Sequence, residues 1–261
     1  MFVWALKSVH VRRLRGKSAV VAAGARNLGG AVSALLGEHG VNVAVHYDRC
    51  ATASAAEATV FTVRAAGVRA IAVQADLTDP AGVSALFDAV VDAFGSVDIA
   101  VNCFGKVVRR PIIETNEAQF DEMFAVNAKA AYFFLQEAGK RLNDNGSIVT
   151  IGSPLLDAFV GHYSAYAGAK GALEHFTRAA AREFGTRGIN VNEVMSGPEG
   201  TPYFYDRQPA EPVQFHAAGI RRDRVVLNDD IASLVVFLAD EGRWITGQSI
   251  VAAGAFVSPR G

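Results

Sequence analysis

The chain has 261 residues, 51% of them hydrophobic, with 25 basic side chains against 26 acidic ones. That size and apolar fraction supply one large core, and α/β folds of this length commonly form a single domain. The near-zero balance excludes a global field drawing the chain to nucleic acid or an anionic membrane, and leaves small molecules as the expected ligands.

The first segment, MFVWALKSVHVRRLRGK, sets a short apolar run ahead of its arginines, the reverse of an export signal. Residues 1–15 read as a variable extension and residues 16–261 as the domain. No stretch approaches the roughly 18 uninterrupted apolar residues that span a bilayer. Cys50 and Cys103 are too few for a disulfide framework and lack the neighbours of a metal knuckle. A cytoplasmic protein with reduced cysteines and no bound metal is the expectation.

From residue 18 onward, short β-branched runs alternate with alanine-rich helical stretches. Residues 18–22 lead to a helix from Gly29, residues 41–46 to a helix ending at Ala66, and residues 69–74 to a helix from Pro80. The rhythm continues with strands at 97–102, 147–151, 189–194 and 249–251. Near-continuous apolar strands separated by helices predict a parallel sheet covered on both faces. The fold class is therefore α/β, a doubly wound parallel sheet of about seven strands. Residues 196–227 lack periodicity and hold Pro198, Pro202, Pro209 and Pro212, so they are expected to form a lid over a ligand.

Ligands of such sheets bind beyond the carboxyl ends of the strands, where the strand order reverses. The stretch AAGARNLGGA, residues 22–31, falls at that edge just after the first strand. Its glycines do not fit a G-x-G-x-x-G loop, but its position suits a phosphate cradle. Farther on, YAGAK sets Tyr166 and Lys170 four apart, one turn along a helix face. Ser153 precedes Tyr166 by 13 residues and follows the strand SIVTI. A hydroxyl, a phenol and an ammonium are thus expected to converge at the same edge.

These motifs, with DIAVNCFG, FAVNAKA, MSGPEGTP and WITGQSI in order along the chain, resemble those of the short-chain dehydrogenase/reductase family. The resemblance covers nearly all of residues 16–254. It implies a Rossmann fold, a nicotinamide cofactor and a catalytic set of Asn127, Ser153, Tyr166 and Lys170. Tyr166 would act as general acid toward a carbonyl oxygen. Lys170 would favour the phenolate and hold the nicotinamide ribose, Ser153 would bond the substrate oxygen, and Asn127 would anchor a water.

By the same resemblance the cofactor is expected to contact Ala23, Arg26, Asn27, Leu28 and Gly29 of the glycine loop, and Tyr47 and Arg49 after the second strand. Asp76 would meet the adenine, with Leu77 beside it. Asn102, Phe104, Gly105, Ile151, Tyr166 and Gly197 are further expected cofactor contacts, with Lys170 on the nicotinamide ribose and Thr201 on the carboxamide. Aligned on the family pattern, Ala23 and Asn27 stand where glycines are usual, and Asn is the non-glycine residue most tolerant of left-handed backbone. Tyr47 replaces the acid that NAD enzymes place on the ribose, while Arg26 and Arg49 suit a 2′-phosphate. NADP is therefore expected ahead of NAD.

Gly152 replaces the first serine of the family's usual pair, and Cys103 and Phe104 read as packing residues at the strand end. His162 reads as a wall residue of the substrate pocket. That pocket is expected along residues 154–163 and near Tyr203, Phe204, Tyr205 and Phe215, apolar and aromatic, suited to a flat or acyl ketone. Reduction of a β-ketoacyl or aromatic polyketide-type carbonyl leads the functional readings. An oxidative secondary-alcohol dehydrogenase and a non-catalytic dinucleotide-binding scaffold are the alternatives. Apolar helices around FAVNAKAAYFFLQ and YAGAKGALEHFTRAA imply a homotetramer or homodimer.

Overall fold

The computed structural model describes residues 13–158, 160–197 and 224–254. Seven apolar runs become parallel strands: β1 (Ser18–Ala22), β2 (Asn42–Tyr47), β3 (Ala70–Gln74), β4 (Val97–Asn102), β5 (Leu142–Gly152), β6 (Asn190–Ser196) and β7 (Ser249–Ala252). They form one sheet in the order β3-β2-β1-β4-β5-β6-β7. The helices between them are α1 (Asn27–Glu38), α2 (Ala53–Ala65), α3 (Pro80–Phe94), α4 (Glu117–Phe124), α5 (Ala130–Arg141), α6 (Ser164–Phe184) and α7 (Asn228–Ala239). The order reverses between β1 and β4, which opens a crevice at their carboxyl ends.

Successive strand residues point to opposite faces, and each face has its own core. Val21, Val45, Val101 and Val149 pack beneath α1, α2 and α7, among Val32, Leu36, Val60 and Val235. Val20, Ala44, Ala100 and Ile148 pack beneath α3, α5 and α6, among Leu86, Phe87 and Phe134. This two-sided burial explains why the strands are apolar without alternation. Local chemistry fixes the ends: Asp79 caps α3 by accepting from the Ala81 N–H at 3.0 Å, Pro80 opens the helix, and left-handed Gly95 closes it.

Boundaries differ from the sequence reading at several places. The helix α1 begins at Asn27, two residues before Gly29, and β5 reaches back to Leu142. Ser196 belongs to β6, so the aperiodic segment starts later than expected. Leu14, assigned to the extension, is buried in the core, and the Gly16 N–H donates to the Gly40 carbonyl at 2.8 Å. Thr201, Tyr203, Phe204, Tyr205, Phe215 and most of the expected lid lie outside the described residues. Among the described residues no helix is long and apolar enough to cross a membrane.

Candidate active site

The turn after β1 settles how AAGARNLGGA folds. Ala23 and Asn27 both take left-handed backbone, with φ of 53° and 51°. Asparagine tolerates that region, whereas alanine carries a cost of roughly 1–2 kcal/mol there. The cost is offset by a buried ring. The Ala23 N–H donates to His46 Nδ1 at 2.9 Å, and His46 Nε2 lies 2.9 Å from the Ala75 carbonyl oxygen. With Nδ1 as acceptor, Nε2 carries the proton and donates, so the imidazole is neutral. Burial holds the His46 pKa below its ordinary value, against the opposing pull of the Ala75 carbonyl, Asp48 and Asp76.

Gly29 packs tightly against the turn. A β-carbon there would lie 2.1 Å from the Ala23 carbonyl oxygen, so only glycine lets α1 start this close to the turn. Arg26, the N-cap residue of α1, makes no capping bond with its side chain, and the first turn holds no acidic residue. The first residues of α1, Asn27, Leu28 and Gly29, line the cleft, and an uncapped helix N-terminus is the arrangement that receives a phosphate.

That cleft is about 570 Å³ and runs from the turn toward β4 and β5. Ala23, Arg26, Asn27, Leu28, Gly29, Tyr47, Arg49, Asp76, Phe104, Gly105 and Ile151 all line it. Arg26 makes no ion pair among the described residues, whereas Arg49 Nε lies 3.2 Å from Asp48 Oδ2. Asp76 Oδ1 accepts from the Thr78 hydroxyl and N–H at 2.7 and 2.9 Å, and the hydroxyl bond chiefly lowers its pKa.

Five expected contacts, Leu77, Asn102, Tyr166, Lys170 and Gly197, do not line this cleft. Leu77 is buried in the α3-side core, and Asn102 Oδ1 accepts from the Phe104 N–H at 3.0 Å. Gly197 leaves β6 beside Ala253 and Val226. Phe104 stands edge-on to His46 and packs on the same core, so it serves as both packing and cleft wall. Cys103 packs against the opposite core and also lines the cleft.

At the far end two of the catalytic candidates, Asn127 and Lys170, meet over Gly105. A β-carbon on Gly105 would lie 3.0 Å from Asn127 Oδ1 and 3.2 Å from Lys170 Nζ, so both atoms converge on one point. Lys170 is buried in α6, and its Nζ donates to the Ile151 carbonyl at 2.7 Å. Asn127 sits in a π-helical turn, Ala125–Lys129, between α4 and α5. Its Oδ1 accepts from the Lys106 N–H at 3.1 Å, and its Nδ2 donates to the Lys106 and Met123 carbonyls at 2.8 and 3.0 Å. A π turn is costly and concentrates at functional positions. Ser153 is buried at the end of β5 and caps the turn Pro154–Asp157 through the Leu155 N–H. Tyr166 is half-buried on α6, one turn before Lys170. His162 holds left-handed backbone, φ 74°, and its carbonyl accepts from the Arg110 N–H, which ties the loop before α6 to the loop after β4.

The family profile described as enoyl-(acyl carrier protein) reductase matches residues 22–255. The short chain dehydrogenase claC of Passalora fulva is 36% identical over 91% of this chain and 93% of its own length. The chain belongs to the short-chain dehydrogenase/reductase family. Among solved members, a dehydrogenase from Burkholderia cenocepacia with bound NADP is 43% identical, with a TM-score of 0.93 over 96% of this chain and 97% of that one. The angucycline C-6 ketoreductase LanV with bound NADP is 34% identical, with a TM-score of 0.87 over 93% and 96%.

Two residues of this member were not singled out by sequence reasoning. His46 is the penultimate residue of an ordinary apolar strand, and only the folded turn at Ala23 and the Ala75 carbonyl give the ring a task. Glu193 interrupts the buried β6 with a carboxylate and is fully buried. A charged residue inside a run that is otherwise core was the available signal.

Proposed function

We propose that this protein is an NADPH-dependent reductase that converts a ketone to a secondary alcohol, with Tyr166 as the proton donor. The observation that carries the reading is the meeting of Asn127 Oδ1 and Lys170 Nζ over Gly105, at the end of a cleft that begins at an uncapped helix N-terminus. The left-handed turn, Gly29 and the free N–H groups of α1 fit a dinucleotide pyrophosphate. Arg26, with no acidic partner among the described residues, and Tyr47 fit a 2′-phosphate better than a bare ribose hydroxyl. The bound NADP of the Burkholderia dehydrogenase and of LanV supports the same cofactor.

When bound, the nicotinamide supplies a hydride to the carbonyl carbon. The protein's own residues manage the oxygen. Tyr166 gives its proton to the developing alkoxide, and Ser153 donates a hydrogen bond that grows stronger as charge appears there. Lys170, held by the Ile151 carbonyl, presents its ammonium to the phenol and favours the phenolate that remains. Asn127 ties the π turn to the chain after Gly105 through the Lys106 N–H and carbonyl. An aromatic or polyketide-type ketone is the proposed substrate class, in line with the ketoreductase among the relatives.

A panel of aromatic and acyl ketones with NADPH and NADH, followed by nicotinamide absorbance, tests the reading. Turnover with NADPH preferred is expected. Tyr166→Phe should lower turnover by about 10²–10⁴-fold, the usual contribution of a positioned acid, with NADPH affinity nearly unchanged. A Phe variant within a few-fold of the parent rules out the assigned proton donor. NADPH binding with no turnover of any ketone, or of secondary alcohols in reverse, would favour a non-catalytic binding protein.

A further inference from the structure

Glu193 is a carboxylate buried in β6, next to β5, the strand that leads to Ser153. Its register partners are Thr150 on β5 and Ser249 on β7, and all three lie in one row across the sheet. The row faces α6, because Thr150 Oγ1 lies 3.2 Å from Thr177 Oγ1 of that helix. Ser249 Oγ donates to Glu193 Oε2 at 2.8 Å. The other oxygen, Oε1, is buried with no hydrogen-bond partner among the described residues. A buried, unsatisfied carboxylate oxygen is costly and calls for a reason.

Oε1 occupies the space above Gly152. A β-carbon on Gly152 would lie 2.0 Å from it, so any side chain there would displace the carboxylate. Gly152 lies between Ile151, whose carbonyl holds Lys170 Nζ, and Ser153. It also stands where the family's first serine is usual. The chain has thus emptied one position of β5 and filled the same volume from β6 with an ionisable group. The charged groups that act on this carboxyl are Lys170, Glu174 and Arg178, all from α6. Burial raises its pKa to about 6, partly opposed by the Ser249 hydrogen bond and by Lys170.

We propose that Glu193 is a positioning residue for the Lys170–Tyr166 pair, its carboxylate filling the volume vacated at Gly152 and offsetting part of the positive field that Lys170 presents to the phenol. The proposal rests on Tyr166 being the proton donor. With Glu193 ionised, the ammonium is partly compensated and the phenol keeps its proton to higher pH. With a neutral side chain at position 193, the ammonium acts unopposed and the phenolate forms earlier.

The test is the pH dependence of kcat/KM for ketone reduction in the parent and Glu193→Gln, together with unfolding of the cofactor-free proteins. The alkaline fall in kcat/KM should begin about 0.5–1 unit lower in the Gln variant, less than the 1–3 units of a direct charge contact. The parent should also show an acid inflection near 6 that the variant lacks. For the cofactor-free proteins the sign follows from a carboxyl whose folded pKa is raised. The folded state binds more protons than the unfolded state between about 4.5 and 6, so the parent loses stability as pH rises through that window. The Tm advantage of Glu193→Gln over the parent should therefore grow from pH 4.5 to pH 7. A second pair covers loss of folding: Gly152→Ser should be strongly destabilised, and Gly152→Ser with Glu193→Ala should recover. Superimposable pH profiles together with a pH-independent Tm difference would overturn the proposal while leaving the proton donor intact. Turnover surviving Tyr166→Phe would instead remove the reading on which it rests.

Discussion

Ala23 shows how a loop holds left-handed backbone without a glycine. Its left-handed backbone is strained for alanine, and the bond to His46 Nδ1 is the compensation that the structure provides. Replacing the ring with leucine removes the acceptor and leaves the Ala23 N–H and the Ala75 carbonyl unsatisfied, at about 1–3 kcal/mol each. His46→Leu should therefore weaken NADPH binding by roughly tenfold or more, an effect that fluorescence titration reads directly. Acid should act in the same direction. Because burial lowers the folded pKa of His46 below that of the unfolded chain, the folded state resists the proton, and stability falls as pH drops below about 6.5. NADPH affinity equal to the parent's in the leucine variant would show that the turn holds without its ring. The residue types at 23, 27 and 29 were legible in the sequence because each has a distinct backbone tolerance. The task of His46 was not, since it depends on a strand-end side chain reaching two loops that only the folded sheet brings together.

At the scale of elements, strand and helix identities followed from two hydrophobic periods, whereas irregular pieces left no periodic trace. The π turn at Ala125–Lys129 adds one residue to a helical run that still reads as FAVNAKA, and only the bonding of Asn127 explains it. That side chain satisfies the Lys106 N–H and two carbonyls in a site closed to solvent. Asn127→Ala strands these groups, so a loss of about 1–3 kcal/mol in unfolding free energy is expected by denaturant titration. Turnover should fall with it, because Lys106 carries the chain that follows Gly105 past the catalytic groups. An alanine variant with parental stability would mean that the π turn holds itself. The early start of β5 at Leu142 escaped the sequence reading for a related reason. Residues 143–145, Asn-Asp-Asn, are exposed and polar, and the pairing of β5 with β4 is irregular between Val97 and Ile99.

Across the whole molecule, the two cores account for one face of each helix but leave an apolar surface on α4, α5 and α6. Tyr132 is 49% exposed and Phe120 47%, and Tyr132 contacts Phe133 and Phe176 edge-on with ring centroids 5.5 and 5.2 Å apart. Phe120 and Phe124 stack beside them at 4.4 Å. Scattered exposed hydrophobics are ordinary, whereas a contiguous aromatic patch marks a surface that is covered by something else. This patch lies on the helices whose sequences, FAVNAKAAYFFLQ and YAGAKGALEHFTRAA, hold more apolar residues than one sheet face hides. A second copy presenting the same patch is the economical cover, because a two-fold contact is self-complementary. It would also brace α6, which carries Tyr166 and Lys170, and the π turn that carries Asn127, so assembly and catalysis are expected to fail together. Sedimentation at micromolar concentration should give an integral multiple, two or four, of the 27.6 kDa chain. Tyr132→Glu places a charge in the centre of the patch without disturbing either core. It should shift the mass toward the monomer and lower turnover, whereas a parental mass in that variant, or a monomeric parent, would require another partner for the aromatic surface.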